Sequence, residues 1–197
     1  MTSILVVCTG NICRSPIAEG LLRDALQRRL GDAAPTVSSA GTHGWQGSTP
    51  TPEGVEAARE LGIDTSLHRG RRLTRAMAED ADLLLGMASD HRDTLRDQFG
   101  LGHRAFTLKE LVRLLGTLPS VATDAGSDHL VERVTAADVA RQRGAVASSM
   151  DDDIADPLGQ PLEAYRGIAW EIQTWTARLV DGLFGSVAGA DAVAKGS

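Results

Sequence analysis

Long apolar runs are missing from this 197-residue sequence, and none approaches the ~18 residues needed to cross a bilayer. The N-terminus runs straight into a strand-like segment without a signal-peptide pattern. Cysteine is scarce. Cys8 and Cys13, the only two, share one short stretch, which excludes a disulfide framework and points to a reducing compartment. A cytoplasmic location is therefore expected. Surplus positive charge is absent too. The net charge of −6 offers no general attraction to nucleic acid or to an anionic membrane, and neither is expected as a partner. Lysine is limited to Lys109 and Lys195 beside 18 arginines, a bias that by itself carries no function. What is present, 42% hydrophobic and 23% charged residues, describes a globular chain long enough for one domain with a real core.

The chain is organised around Val6-Val7-Cys8-Thr9-Gly10-Asn11-Ile12-Cys13-Arg14-Ser15-Pro16-Ile17-Ala18-Glu19. Ile4 to Val7 has the length and β-branching of a buried strand. Ile17, Leu21, Leu22, Ala25, Leu26 and Leu30 then recur on one helical face. A loop from a strand's C-terminal end into a helix gathers unpaired N–H groups at the positive end of the helix dipole, which suits an anion. Thr9, Gly10, Asn11, Ile12, Cys13, Arg14 and Ser15 would form a phosphate cradle, with Cys8 as the nucleophile at its floor. Only a thiolate attacks well, and converging amides and a guanidinium favour that form. Arg14 can grip two phosphoryl oxygens in a bidentate fork, which lysine cannot do. Gly10 is expected to supply a backbone geometry closed to most residues, and Asn11 tolerates positive φ. Ser15 can donate to the sulfur or cap the helix. Bare Cys-x5-Arg spacing would arise by chance in roughly one such chain in five. The strand before it, the Gly-Asn inside it and the helix after it give the match its weight over a merely structural Cys8.

Val-Cys-x-Gly-Asn-x-Cys-Arg-Ser-Pro-x-Ala-Glu near the N-terminus resembles the low-molecular-weight protein tyrosine phosphatases of bacterial type. The resemblance extends over about residues 3–115 and 150–184. It implies a three-layer α/β/α fold with a four-stranded parallel sheet, strand order 2-1-3-4. It further implies that Ser39 and His68 support the cradle through Asn11, and that Trp45 is the aromatic of the substrate-pocket wall. Asp156-Pro157 matches the general-acid pair. Leu158 stands where many relatives carry an aromatic, which puts a strict phosphotyrosine preference in question.

Strand–helix alternation with parallel crossovers is supported by pattern alone. Thr36 to Gly41 reads as a second strand, Asp82 to Met87 as a third and Arg104 to Thr107 as a short fourth. Helices are expected from Glu53 to Leu61, Ser89 to Gln98, Leu108 to Leu115 and Thr135 to Arg143, the last capped by Thr135. Arg69, Arg71, Arg72 and Arg75 lie in an irregular connection, read as a solvated surface or a phosphopeptide rim. Residues 116–134 lack periodicity and read as a surface insertion in a single domain spanning residues 1–184. A final helix opens at Pro161, with Trp170, Trp175 and Phe184 covering the sheet. Residues 185–197 read as a disordered tail.

The run Asp151-Asp152-Asp153 raises the question of a hard cation, but without a fuller ligand pattern no metal is expected. The better reading is an acidic loop whose carboxylates favour a protonated Asp156, with Pro157 stiffening the backbone beside it. The chain is thus expected to be a protein-tyrosine phosphatase acting through a phosphocysteine, without cofactor, on a phosphotyrosine protein or peptide. Cys8, Arg14 and Asp156 would be catalytic, and Cys13 a redox partner for Cys8. A small-thiol-coupled arsenate reductase and a silent phosphopeptide-binding module are the alternatives. Oligomeric state is not legible.

Overall fold

The computed structural model describes residues 2–121, 126–127, 129–146 and 149–186. Four parallel strands form its centre: β1 (Ser3–Cys8), β2 (Thr36–Gly41), β3 (Leu83–Gly86) and β4 (Ala105–Thr107), ordered β2-β1-β3-β4. Side chains alternate across a strand, and here both faces are apolar. Ile4, Val6, Leu83, Leu85 and Phe106 enter one core, while Leu5, Val7, Leu84 and Ala105 enter the other. The three layers follow from that alternation.

Helices α1 (Arg14–Leu30) and α2 (Pro52–Glu60) contribute to the larger core, while α3 (Arg75–Glu79) and α4 (Ser89–Phe99) contribute Ala78 and Leu95 to the smaller one. α5 (Leu108–Leu115), α6 (His129–Gln142) and α7 (Leu162–Phe184) join the larger core. Thr51 caps α2, and Thr107 with Glu110 forms a capping box on α5. None of the helices among the described residues is long and apolar enough to cross a membrane.

Three expectations need correction. α6 starts at His129, six residues before Thr135, so residues 129–134 are helix rather than loop. Leu130, Val134 and Ala137 are buried on one face of α6, and the Thr135 hydroxyl donates back to the Val131 carbonyl instead of capping. Trp170 is 63% exposed and does not cover the sheet. Gly185 belongs to the folded part, since its carbonyl accepts from Arg29 at 2.8 Å. Residues 187–197 of the expected tail, and residues 122–125 and 128 of the expected insertion, lie outside the described residues.

Candidate active site

β1 delivers Cys8 to the C-terminal edge of the sheet, and residues 9–13 curl from there into α1. Five successive carbonyls of this loop are bonded from outside it. Cys8 accepts from Thr42 N (2.9 Å), Thr9 from His43 N (3.0 Å), Gly10 from Trp45 N (3.2 Å) and Ile12 from Thr51 N (3.1 Å). Asn11 accepts from His68 Nε2 (3.1 Å). In a trans peptide the N–H points away from the C=O. With the carbonyls turned outward, the amides of Thr9 to Cys13 turn inward, and Asn11 N–H reaches Cys8 Sγ at 3.3 Å. Gly41 permits this close wrapping, because a Cβ there would lie 2.4 Å from the Thr9 carbonyl oxygen.

The strained position is Asn11, at φ 58°. Gly10 is not left-handed, contrary to expectation; a Cβ there would press on Ile12 at 3.3 Å, so close approach accounts for the residue. The Asn11 side chain fixes the strain through four bonds. Its Nδ2 donates to Ser15 Oγ (2.9 Å) and Ser39 Oγ (2.8 Å), and its Oδ1 accepts from Arg71 N (2.8 Å) and His68 Nε2 (3.2 Å).

These bonds settle where the hydroxyl protons lie. Ser39 Oγ accepts from Asn11 and donates to Glu19 Oε2 at 2.5 Å. Ser15 Oγ also accepts from Asn11, so its own hydrogen goes to Cys8 Sγ, 2.9 Å away. The sulfur therefore receives two donors, the arrangement that suits a thiolate. Burial holds His68 below the usual histidine value against the opposing pull of Glu19. Its Nε2 faces two oxygens and carries the hydrogen.

Arg14 is buried at the head of α1. Its Nη1 donates to the Ile154 carbonyl (2.9 Å), and its Nη2 to Asp156 Oδ2 (2.6 Å) and Thr9 Oγ1 (3.4 Å). Residues 142 positions apart in sequence thus meet at the cradle mouth. The acid loop is pinned on its other side by Ile154 N–H to the Met87 carbonyl (2.8 Å) and Lys109 Nζ to the Asp153 carbonyl (3.0 Å). Two of the three carboxylates expected to crowd Asp156 are engaged elsewhere. Asp152 takes Arg113 Nη2 on both oxygens at 2.6 Å, and Asp153 accepts from Ser89 N at 2.7 Å, capping α4 from outside. Trp45 and Leu158 are about half exposed, tied to the site by the Trp45 N–H bond to Gly10 and by Leu158 N–H to Asp156 Oδ1 (3.2 Å).

Cys13 faces α7 and α2: its sulfur lies 3.6 Å from Tyr165 Oη and 3.7 Å from Thr51 Oγ1. Burial pushes the Cys13 thiol up from its ordinary value.

Three neighbours support the cradle in ways the sequence reading did not assign: Glu19, Arg71, which was expected on a solvated surface or a phosphopeptide rim, and His91. Glu19 had a visible signal, four residues after Ser15 on the same helix face. His91 had a weaker one, in the first turn after β3, since sites in such sheets lie beyond the strands' carboxyl ends. His91 is buried, with Nε2 3.0 Å from Thr9 Oγ1 and Nδ1 without a partner among the described residues. Burial, then the Arg14 charge, lowers it to about 4. The unfolded chain binds this proton from about pH 6.5 downward and the folded protein only near 4. His91 therefore makes the folded state lose stability as pH falls from 6.5 to 4. In urea unfolding, the stability difference between pH 7 and pH 4.5 should shrink by about 2 kcal/mol in His91→Asn. An unchanged difference would mean that His91 is not neutral in the folded protein.

A doubly wound α/β protein with an amide-lined anion cradle closed around a thiol is the class that this fold and site define. The profile of the low molecular weight phosphotyrosine protein phosphatases matches residues 3–117, and the chain belongs to that family. It is similar to the low molecular weight protein-tyrosine-phosphatase Etp of Escherichia coli K12, 46% identical over 89 residues, covering 45% of this chain and 56% of that protein. A protein-arginine-phosphatase of Geobacillus stearothermophilus is 31% identical over 181 residues, 91% of this chain and 95% of that one. Among solved structures, a low molecular weight protein tyrosine phosphatase from T. tengcongensis superposes with a TM-score of 0.68 at 32% identity, covering 93% of this chain and all of that chain, 100%.

Proposed function

We propose that the protein is a cysteine-dependent phosphomonoester hydrolase of the protein-tyrosine-phosphatase type. The observation that carries this is the cradle itself, with outward carbonyls, inward amides and Ser15 and Asn11 both donating to Cys8 Sγ. The cradle amides and Arg14 hold the equatorial phosphoryl oxygens. Arg14 Nε, buried and without a partner among the described residues, is available as one tine of the fork. Cys8 forms an S–P bond as the bond to the leaving oxygen breaks, and Asp156 gives that oxygen its proton. Asp156 then takes a proton from water, which attacks phosphorus, breaks the S–P bond and releases phosphate. Asp156 and a phosphoryl dianion compete for Arg14 Nη2, so substrate frees the carboxyl to turn to the leaving group. Ser39, His68, Glu19 and His91 position cradle residues without touching the phosphoryl group. Trp45 and Leu158 flank the entrance.

A phosphoarginine substrate is a second reading, supported by the relative that matches 91% of the chain. Phosphotyrosine and phosphoarginine peptides of one sequence, compared by kcat/KM, decide between them. A phosphotyrosine preference below tenfold would remove the tyrosine assignment. Arsenate reduction with a small thiol, run beside both, tests the third chemistry. A protein-borne thiol relay has no further cysteine to use, as Cys8 and Cys13 share one loop. A silent binding module would have no need for Asp156 and would turn over none of these.

Cys13 is proposed as the thiol that rescues oxidised Cys8. Peroxide converts Cys8 to a sulfenic acid, and Cys13 displaces water to form a disulfide that a dithiol reduces. Its raised pKa makes that step slower than for an ordinary exposed thiol. After peroxide and dithiol, the wild type should regain most of its activity and Cys13→Ser far less. Equal recovery would leave Cys13 as packing against Tyr165 and Thr51.

A further inference from the structure

Away from the thiol loop, arginines from three helices converge on one cleft. Arg92 and Arg96 of α4, Arg113 of α5 and Arg141 of α6 line a cavity of about 290 Å³, together with Glu110 and Leu114. Four guanidinium groups and one carboxylate, Glu110, line this cleft. Glu110 is already engaged. Its Oε2 accepts from Thr107 N (3.1 Å) and Arg92 Nη1 (3.3 Å), and its Oε1 lies 3.5 Å from Arg141 Nη1.

The guanidinium groups pair with carboxylates that do not line the cleft: Asp93, Asp97, Asp138 and Asp152. Arg96 holds both oxygens of Asp97 and pairs with Asp93 at 2.9 Å, but its side chain is 51% and that of Asp97 61% exposed, so water screens the Asp97 pair. Arg92 uses three of its five N–H donors on Asp93 and Glu110. Paired guanidinium forks fit the oxygens of a tetrahedral oxyanion, and an anion with several charges can draw Arg96 from Asp97, whose side chain is 61% exposed.

We propose that this cleft is a second anion site, separate from the thiol loop, for a compact oxyanion of the pyrophosphate class. Its occupant reaches the acid loop through Arg113, which holds both oxygens of Asp152, a carboxylate only 4% exposed. Two residues further on, the Ile154 carbonyl holds Arg14, and Asp156 follows. An anion that draws on Arg113 weakens the anchor of that loop. This coupling rests on the phosphatase reading, whereas the binding does not.

Backbone amide NMR of the full chain, titrated with pyrophosphate at ionic strength matched by sodium chloride, tests both. Two groups of amides should shift. One is the cradle, Thr9 to Cys13; the other is Arg92, Arg96 and Arg113, with Asp152 and Ile154 moving at the same midpoint as Arg92. Arg92→Met with Arg96→Met should weaken the second group's midpoint about tenfold or more and leave the first in place. If that double variant fails to fold, Arg96→Glu, at an exposed position, should produce a weakening in the same direction. Shifts confined to the cradle, shifts reproduced by sodium chloride alone, or a second midpoint unmoved by Arg96→Glu would overturn the site. Asp152 and Ile154 following the cradle's midpoint would overturn the coupling alone. Failure of the phosphatase reading would show separately, as absent hydrolysis of an aryl phosphate.

Discussion

Cys8→Ser should abolish turnover of an aryl phosphate while inorganic phosphate still binds within about tenfold of the wild-type affinity. The expectation follows from the division of labour that the proposed mechanism gives the loop. Binding comes from amides fixed by their outward carbonyls and from Arg14, none of which the substitution touches. Chemistry comes from the sulfur, and a serine hydroxyl is a far weaker nucleophile without an adjacent base. Ser15 and the Asn11 amide would still donate to the new oxygen, so the loop should keep its shape. Arg14→Lys should lose about 10²–10³-fold in kcat, since an ammonium cannot reproduce the fork. It also cannot hold Ile154, Thr9 and Asp156 together. Calorimetric titration with phosphate beside a turnover assay separates the two variants. Residual turnover of Cys8→Ser within tenfold of wild type would remove the covalent mechanism.

Asp156→Asn should slow a substrate with a weakly acidic phenol by ~10²–10⁴-fold, the range of general acid catalysis. With a strongly acidic phenol the loss should shrink to less than about tenfold, because that leaving group departs without a proton. Asparagine retains the oxygen that accepts from Leu158 N–H, which limits collapse of the loop. It gives up the charge that pairs with Arg14, so the variant should also bind phosphate slightly more tightly. A Brønsted series over several phenols reads the first effect, and phosphate inhibition reads the second. An equal loss for all phenols would make Asp156 a shaping residue rather than a proton donor. Asp152 and Asp153 do not replace it in that case, because they are committed to Arg113 and Ser89.

The acid loop shows the limit of reading charges along a chain. Three consecutive aspartates next to Asp156 suggest mutual repulsion, yet two of them are anchors to α5 and α4. Lys109, one of only two lysines, gains a purpose only in three dimensions, gripping the Asp153 carbonyl while paired with Glu171 at 2.5 Å. Residues 129–134 misled in the opposite way. Their pattern is short and flanked by small polar residues, and Leu130 and Val134 gain a surface to bury only when α6 packs beside α5, α7 and β3.

The sequence by itself determined the sheet's parallel strands and the thiol loop, while the general-acid candidate Asp156 came from the resemblance of Asp156-Pro157 to the family's pair. The strands and the loop depend on contiguous residues whose spacing fixes local geometry: a buried apolar run, a helix start, and a Cys-x5-Arg loop between them. Beyond Ser39, Trp45, His68 and Asp156, which the family resemblance implied, tertiary structure alone decided what surrounds that loop and how each group bonds to it. Thr42, His43, Trp45 and Thr51 come from beyond β2, His68 and Arg71 from the basic connection, His91 from α4 and Asp156 from the loop before α7. Hydrogen bonds between segments so far apart leave no periodicity to read, because they depend on where the packed layers bring chain ends together rather than on any repeat along the chain. The direction of the Ser15 proton toward Cys8 follows only once Asn11 is seen to occupy the other side of that hydroxyl.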